Sequence, residues 1–356
     1  MAAYFFLGTN SGEGFFSLYD QLTGGALRDL VILKGGPGSG KSSFMRRIAR
    51  AMEERGGQTV YVGCSGDPQS LDAVLFPAVH AAVVDGTSPH ALEPRYTGAA
   101  ERYCDLGRFC NVAGAQQQRA EIVRLSDAYR ASYAEAYRLL RALTAVEDEQ
   151  RAPVQRAFDT SSLLRRAENI AARELRGKAA PGGTVQRAFL GGVTHEGRLV
   201  RFDTVRTLCP RVYALQDNFG LAAPLLETLC SAALARGEHA ILCPDPLRPQ
   251  TPQHLLLPGR GLAFVTEQEG LRWDGKPYRR LRLDTAAEGA LSRAERAKLR
   301  FIRRVSRALE DEAVDALRRA REQHDALEAL YNPLMDFDGV YALADEEAAR
   351  FAGYLT

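Results

Sequence analysis

Lysine is nearly missing from this chain. Five lysines, at 34, 41, 178, 276 and 298, stand among 46 basic residues, so almost every positive charge is an arginine. The acids nearly cancel them: a formal net charge of +2 supplies no broad electrostatic footprint for nucleic acid or an anionic membrane. No apolar run approaches the 18 or so residues of a membrane span, and no cationic stretch with an apolar one behind it opens the chain. A cytoplasmic setting without membrane insertion is the expectation. Cysteines 64, 104, 110, 209, 230 and 243 form no C-x-x-C pair, and the six histidines form no H-E-x-x-H cluster. The common zinc patterns are therefore missing, and a structural role is the default for each.

What is present is an ordinary globular composition, 46% hydrophobic and 25% charged, over 356 residues, enough for two domains with full cores. One stretch stands out, Leu30 to Met45, LVILKGGPGSGKSSFM. Leu30-Val31-Ile32-Leu33 reads as a buried parallel strand. Gly35-Gly36-Pro37-Gly38-Ser39-Gly40-Lys41-Ser42 satisfies G-x-x-x-x-G-K-[ST] at every required position, and Phe44, Ile48, Ala51 and Met52 continue at helical spacing. Strand, glycine loop and helix together bring backbone N–H groups to a helix N-terminus, where an anion is held. The expectation is a nucleotide site formed by residues 35–42 with Ser43. Lys41 would sit on the β/γ-phosphates and the Ser42 hydroxyl on Mg²⁺. A compact ammonium kept there, in so arginine-biased a chain, agrees with that role.

Further strands are expected at Gln58 to Gly63 and at His80 to Asp85, giving a doubly wound α/β pattern. The landmarks then recur. Phe6-Leu7-Gly8 through Gly14 to Tyr19-Asp20 is echoed by Phe189-Leu190-Gly191 through Gly197 to Phe202-Asp203. Leu30 to Leu33 is echoed by Val212 to Leu215, Cys64 and Asp67-Pro68 by Cys243 and Asp245-Pro246, and Leu75-Phe76-Pro77 by Leu256-Leu257-Pro258. The same order at nearly constant offset indicates a tandem duplication. In the second copy Lys41 faces Ala223, Ser42 faces Pro224 and Asp85 faces Thr266, so the triphosphate chemistry is lost there. The helix after Pro224 can persist, because proline suits a first helical turn.

Each copy also carries a long helical segment. Ile122, Leu125, Tyr129, Tyr133, Ala136, Leu140 and Leu143 share one face, as do Leu299, Ile302, Leu309, Ala313, Ala316, Ala320, His324, Leu327 and Tyr331. Mixed charges on the opposite faces read as solvated surface, with a protein partner as a further expectation and nucleic acid not expected. A helix about Ser161 to Arg176 precedes the stretch Gly177 to Gly183, so the division falls near 180, into 1–180 and 181–356.

Two acids are candidates for chemistry. Asp85 ends an apolar strand, as an Mg²⁺-directed carboxylate does, or caps the turn at Gly86. Asp67 follows the second strand at the sheet's carboxyl edge, where a general base, a second Mg²⁺-directed acid or an Asp-Pro turn would each fit. His90 and Arg95 lie close enough in sequence to reach phosphate.

With the repeat in view, the chain resembles an uncharacterised bacterial family of P-loop ATPase-like proteins built as two tandem P-loop modules. The likeness rests on LKGGPGSGKSSFMRRI (Leu33 to Ile48), CSGDPQSLD (Cys64 to Asp72), VVDGTSPH (Val83 to His90) and HDALEALYNPLMDFDGV (His324 to Val340). It implies P-loop NTPase modules of three layers with a mainly parallel sheet, and binding of ATP or GTP. The second module of that family often keeps a recognisable P-loop; here it does not. The expected function is a Mg-ATP-dependent ATPase whose nucleotide state controls a partner interaction. The alternatives are a P-loop kinase acting on a small molecule or RNA, and a nucleotide-gated binding module with negligible turnover.

Overall fold

The computed structural model describes residues 2–289 and 291–355. Strand β1 (Ala3–Phe5) leads to a hairpin of β2 (Gly8–Ser11) and β3 (Gly14–Ser17), then to β4 (Asp29–Lys34), the buried strand expected before the glycine loop. After α1 (Lys41–Glu53) come β5 (Val60–Gly63), β6 (Leu71–Phe76), β7 (Ala81–Asp85) and β8 (Glu101–Asp105). The first sheet has the order β1-β5-β6-β7-β4-β8. Its pairings are parallel except at β6, which runs antiparallel to both neighbours. The protein is thus α/β with mixed, mostly parallel sheets. The doubly wound expectation fails between β5 and β7, which are linked by a strand and not by a crossover helix. Antiparallel neighbours need only short links, whereas parallel ones need a dozen or more residues.

Helices α2 (Val112–Gln117), α3 (Arg119–Ala157) and α4 (Thr160–Glu174) follow. The second half contributes β9 (Thr184–Arg187), β10 (Gly191–Thr194), β11 (Gly197–Val200), α5 (Phe202–Leu208), β12 (Arg211–Gln216) and α6 (Ala223–Leu234). It continues with β13 (His239–Asp245), β14 (Arg248–Leu257), β15 (Leu262–Glu267), β16 (Arg279–Arg282) and α7 (Leu283–Glu288). Helices α8 (Arg293–Tyr331) and α9 (Phe337–Ala352) close the chain. From the β9 edge the second sheet reads β9-β13-β14-β15-β12-β16, with β14 antiparallel to both neighbours. Strand for strand, this is the order of the first sheet.

Side chains alternate across each strand, and the alternation sorts the cores. On β4, Val31 and Leu33 pack in a cluster with Phe44, Ile48 and Met52 of α1 and with Val340, Ala344 and Phe351 of α9. Leu30 and Ile32 belong to the opposite face, in a cluster shared with Val212, Ala263 and Val265 of the second sheet. The outer face of that second sheet is covered by α6 and α4, through Leu225, Leu229, Leu163 and Ile170. The layers therefore run helices, sheet, sheet, helices, and the three-layer expectation is corrected. Each inner sheet face is buried by the other half, so no second helical layer is needed.

The packing also crosses the linear division near 180. Helix α4 comes from the first half and packs on α6 of the second; α9 comes from the second half and packs on α1 of the first. The long helices α3 and α8, 39 residues each, lie against one another. They are antiparallel, since Ser132 meets Gln323, Glu135 meets Arg319 and Glu149 meets Lys298. Fully buried Ala136, Ala313, Ala316 and Ala320 let the two backbones approach. Near the centre Phe6 and Phe189 exchange backbone hydrogen bonds, N to O, at 2.9 and 2.8 Å. These are the residues that correspond in the sequence repeat. Among the described residues no helix is long and apolar enough to cross a membrane.

Candidate functional site: the glycine loop and the acids beside it

The glycine loop leaves β4 at Gly35 and enters α1 at Lys41. Gly38 and Gly40 hold φ of +68° and +81°, left-handed values that a side chain would strain. Ser39 is buried and its hydroxyl donates to the Gly36 carbonyl at 2.8 Å, which tightens the loop from inside. Gly36 is exposed, Pro37 is half-buried, and Ser43 points outward on the first turn of α1. Lys41 Nζ donates to the carbonyls of Gly35 and Gly36 at 2.9 and 3.0 Å and lies 3.6 Å from Asp85 Oδ2. The Ser42 hydroxyl accepts from the Leu71 N–H at 3.1 Å. Lys41 and Asp85, far apart in sequence, are brought together because β4 and β7 are parallel neighbours.

The corresponding loop of the second half differs in one decisive way. Gly220, with φ +71°, takes the place of Gly38, and α6 begins with Pro224 in its first turn. Asp217 stands where the first loop has Gly35, is 1% exposed, and accepts from the N–H groups of Phe219 at 3.0 Å and Ala222 at 2.7 Å. The second loop thus carries its own anion. Among the described residues, the Gly40 N–H, which corresponds to that of Ala222, meets no protein acceptor, nor do those of Gly38, Lys41 and Ser42. The first loop is left with unanswered donors at a helix N-terminus.

Both loops are approached by a long helix. A Cβ built on Gly38 would lie 2.7 Å from Asn332 Oδ1 and 3.2 Å from the Glu328 carbonyl, at the end of α8. One on Gly40 would lie 3.2 Å from the Phe337 ring. Over the second loop, Gln155 of α3 donates to the Phe219 carbonyl at 2.9 Å, and a Gly220 Cβ would lie 2.9 Å from Arg151. Asp67 is tied to Arg321 of α8 at 2.5 Å and accepts from the Gln69 N–H at 3.1 Å; Asp245 lies 3.4 Å from Arg151 of α3. The structure therefore joins Lys41 to Asp85 and fastens Asp67 to α8. Arg95 is exposed near Gly24, at the other end of β4.

Asp85 stands in a buried polar group that the sequence did not announce. Its Oδ1 accepts from the Thr87 N–H and hydroxyl at 2.8 and 2.6 Å. His90 Nε2 lies 3.8 Å from Asp85 Oδ1 and 3.9 Å from Asp72 Oδ1, and Tyr19 donates its hydroxyl to Asp72 Oδ2 at 3.1 Å. Burial alone would raise Asp85, but His90, Lys41 and Thr87 outweigh it and bring its pKa to about 2. Burial raises Asp72, and the two carboxylates raise His90 against its own burial. Burial, with the Asp72 charge beside it, pushes Tyr19 well up. Asp72 sits in the CSGDPQSLD segment and His90 ends VVDGTSPH, so only proximity in sequence to Asp67 and Asp85 hinted at them.

No family model, no curated protein and no solved structure matches the chain. The residues present fit a triphosphate with Mg²⁺ on their own chemistry. Unanswered N–H donors would meet phosphate oxygens, Lys41 the β/γ charge, and Ser42 with Asp85 the cation.

Proposed function

We propose that residues 35–43 bind a nucleoside triphosphate with Mg²⁺ and that the chain is a P-loop ATPase made by tandem duplication, its second module degenerate. The observation that carries this reading is the contrast between the loops: Asp217 answers the Ala222 N–H of one, while the matching Gly40 N–H of the other meets no acceptor among the described residues. Support for duplication comes from the shared strand order and from the reciprocal bonds between Phe6 and Phe189. The resemblance to the two-module ATPase-like family belongs to the same reading. Asp67, the candidate base of the kinase alternative, pairs with Arg321, which supports the ATPase reading over it.

The end of α8 beside Gly38 favours a nucleotide-controlled change of helix position over a freely open site. Binding would press on Asn332 and Glu328, and α8 would pass that displacement along its length to α3. A protein partner would be sought on the exposed faces of these helices, where Val123 and Phe301 are solvent-facing.

The test is nucleotide binding and phosphate release by wild type, Lys41→Ala and Asp85→Ala. Losing the Lys41 ammonium is expected to weaken ATP by about 10- to 100-fold, the worth of a charge-assisted contact. Asp85→Ala is expected to remove the Mg²⁺ dependence. A folded wild type that binds neither ATP nor GTP overturns the reading.

A further inference from the structure

The group formed by Asp72, Asp85 and His90 is built from three separate pieces of chain: β6, the end of β7, and the loop beyond it. Each offers one ligand atom, and these atoms lie within 4.8 Å of one another. His90 is 6% exposed, and neither ring nitrogen has a hydrogen-bond partner among the described residues. Leaving two such nitrogens dry and unpaired is costly. Separations of 3.8 and 3.9 Å are too long for hydrogen bonds. They come close to the spacing of two ligands on one ion, since bonds of about 2.0–2.2 Å at a tetrahedral angle place two ligands about 3.3–3.6 Å apart.

The surroundings fix each ligand. Tyr19 holds the far oxygen of Asp72, and Thr87 holds Asp85 twice. The His90 ring stacks on Tyr19 with centroids 5.0 Å apart and leans on Phe15 at 5.8 Å. Outer contacts of this kind orient metal ligands. We propose that Asp72, Asp85 and His90 form a binding site for a first-row divalent cation of the Zn²⁺ or Mn²⁺ class, filled without nucleotide. One imidazole with two carboxylates suits such ions, whereas Mg²⁺ and Ca²⁺ prefer oxygen alone. The site shares Asp85 with the nucleotide proposal but takes its ion without nucleotide. A cation here would draw Asp85 from Lys41 and release the ammonium toward phosphate.

The competing structure is a metal-free triad with His90 carrying a proton between two carboxylates. A second trio, His324, Asp325 and Glu328, lies on α8, and its members are partly or fully exposed. The experiment is titration of chelator-stripped, full-length protein with Zn²⁺ alone, followed by calorimetry and by the melting temperature. Manganese would be followed by its electron paramagnetic resonance signal. One ion per chain is expected. Affinity should fall by at least about 100-fold in His90→Ala and in Asp72→Asn, more than loss of an outer partner costs. Lys41→Ala should keep the metal while weakening nucleotide by about 10- to 100-fold, which separates this proposal from the nucleotide reading. X-ray absorption on wild-type protein with one Zn²⁺ should show one imidazole among oxygens, and it serves even where a variant does not fold. No Zn²⁺ or Mn²⁺ uptake by folded wild type overturns the site. So does uptake unchanged in His90→Ala, uptake lost instead in His324→Ala, or a sulfur-containing shell.

Discussion

Asp217 and Gly35 occupy matching positions, and only the second loop has a carboxylate of its own folded against its backbone N–H groups. A carboxylate built into the chain supplies the anion permanently, at no cost in binding entropy. Because Asp217 is buried and holds two backbone N–H groups, Asp217→Ala is expected to destabilise the protein by about 3 kcal/mol, measured as a shift in the urea midpoint. Asp217→Asn, which keeps one carbonyl acceptor, should cost less. Nucleotide affinity at the first loop should be unchanged in both.

His254 makes a different statement at this scale. Fully buried on β14, it accepts from the Thr266 N–H at Nδ1, 3.0 Å away. Burial lowers its pKa from 6.5 to about 3, against a smaller upward pull from Asp245. The folded protein keeps this ring neutral while the unfolded chain takes up a proton below 6.5. Its contribution is therefore fully present above pH 6.5 and is lost as pH falls toward 3. The slope is at most about 1.4 kcal/mol per pH unit. His254→Gln should flatten the decline between pH 6.5 and 4, whatever it costs at neutral pH; denaturation midpoints across that range would check it.

The elements that position the site were unevenly legible. Strand β4, helix α1 and the presence of long helices at α3 and α8 followed from apolar spacing, because one face of each meets a core. Strand β6 did not, since a short apolar run such as Leu71 to Phe76 carries no period of its own. What α3 and α8 pack against was also hidden: alanines at 136, 313, 316 and 320 read as helix formers and turn out to be fully buried. Ala316→Leu forces a larger side chain into that seam, and a loss of about 1–3 kcal/mol is expected. Since α8 ends over Gly38, the same variant should also change nucleotide affinity if helix position and loop are coupled. Equal affinity in the destabilised variant would show that they are not.

Across the whole molecule, each half lends a helix to the core of the other. Val340, Ala344 and Phe351 of α9 complete the outer core of the first sheet, and Leu163, Ala167 and Ile170 of α4 complete that of the second. Full burial of a valine or phenylalanine side chain is worth roughly 1.5–3 kcal/mol, and each half alone would expose several such residues. Residues 1–180 expressed alone are thus expected to bind a hydrophobic dye and to lack a cooperative melt. Co-expression with 181–356 should restore both a single transition and one particle. A stable, cooperatively melting 1–180 fragment would contradict the exchange.

The residue types of the first loop were legible in the sequence alone. Glycines at 35, 36, 38 and 40, a lysine at 41 and a serine at 42 can be read without any fold, because a loop's backbone freedom and its charge are local properties. The recurrence of landmarks was equally visible, since repetition is a property of order. Which donors remain unanswered, that Asp67 is fastened to Arg321, and that Asp72 and His90 close around Asp85 were decided only in three dimensions. Those facts depend on which strand lies beside which and on where a helix from the other half comes to rest. Contacts between residues 5 to 300 positions apart leave no periodic trace along the chain.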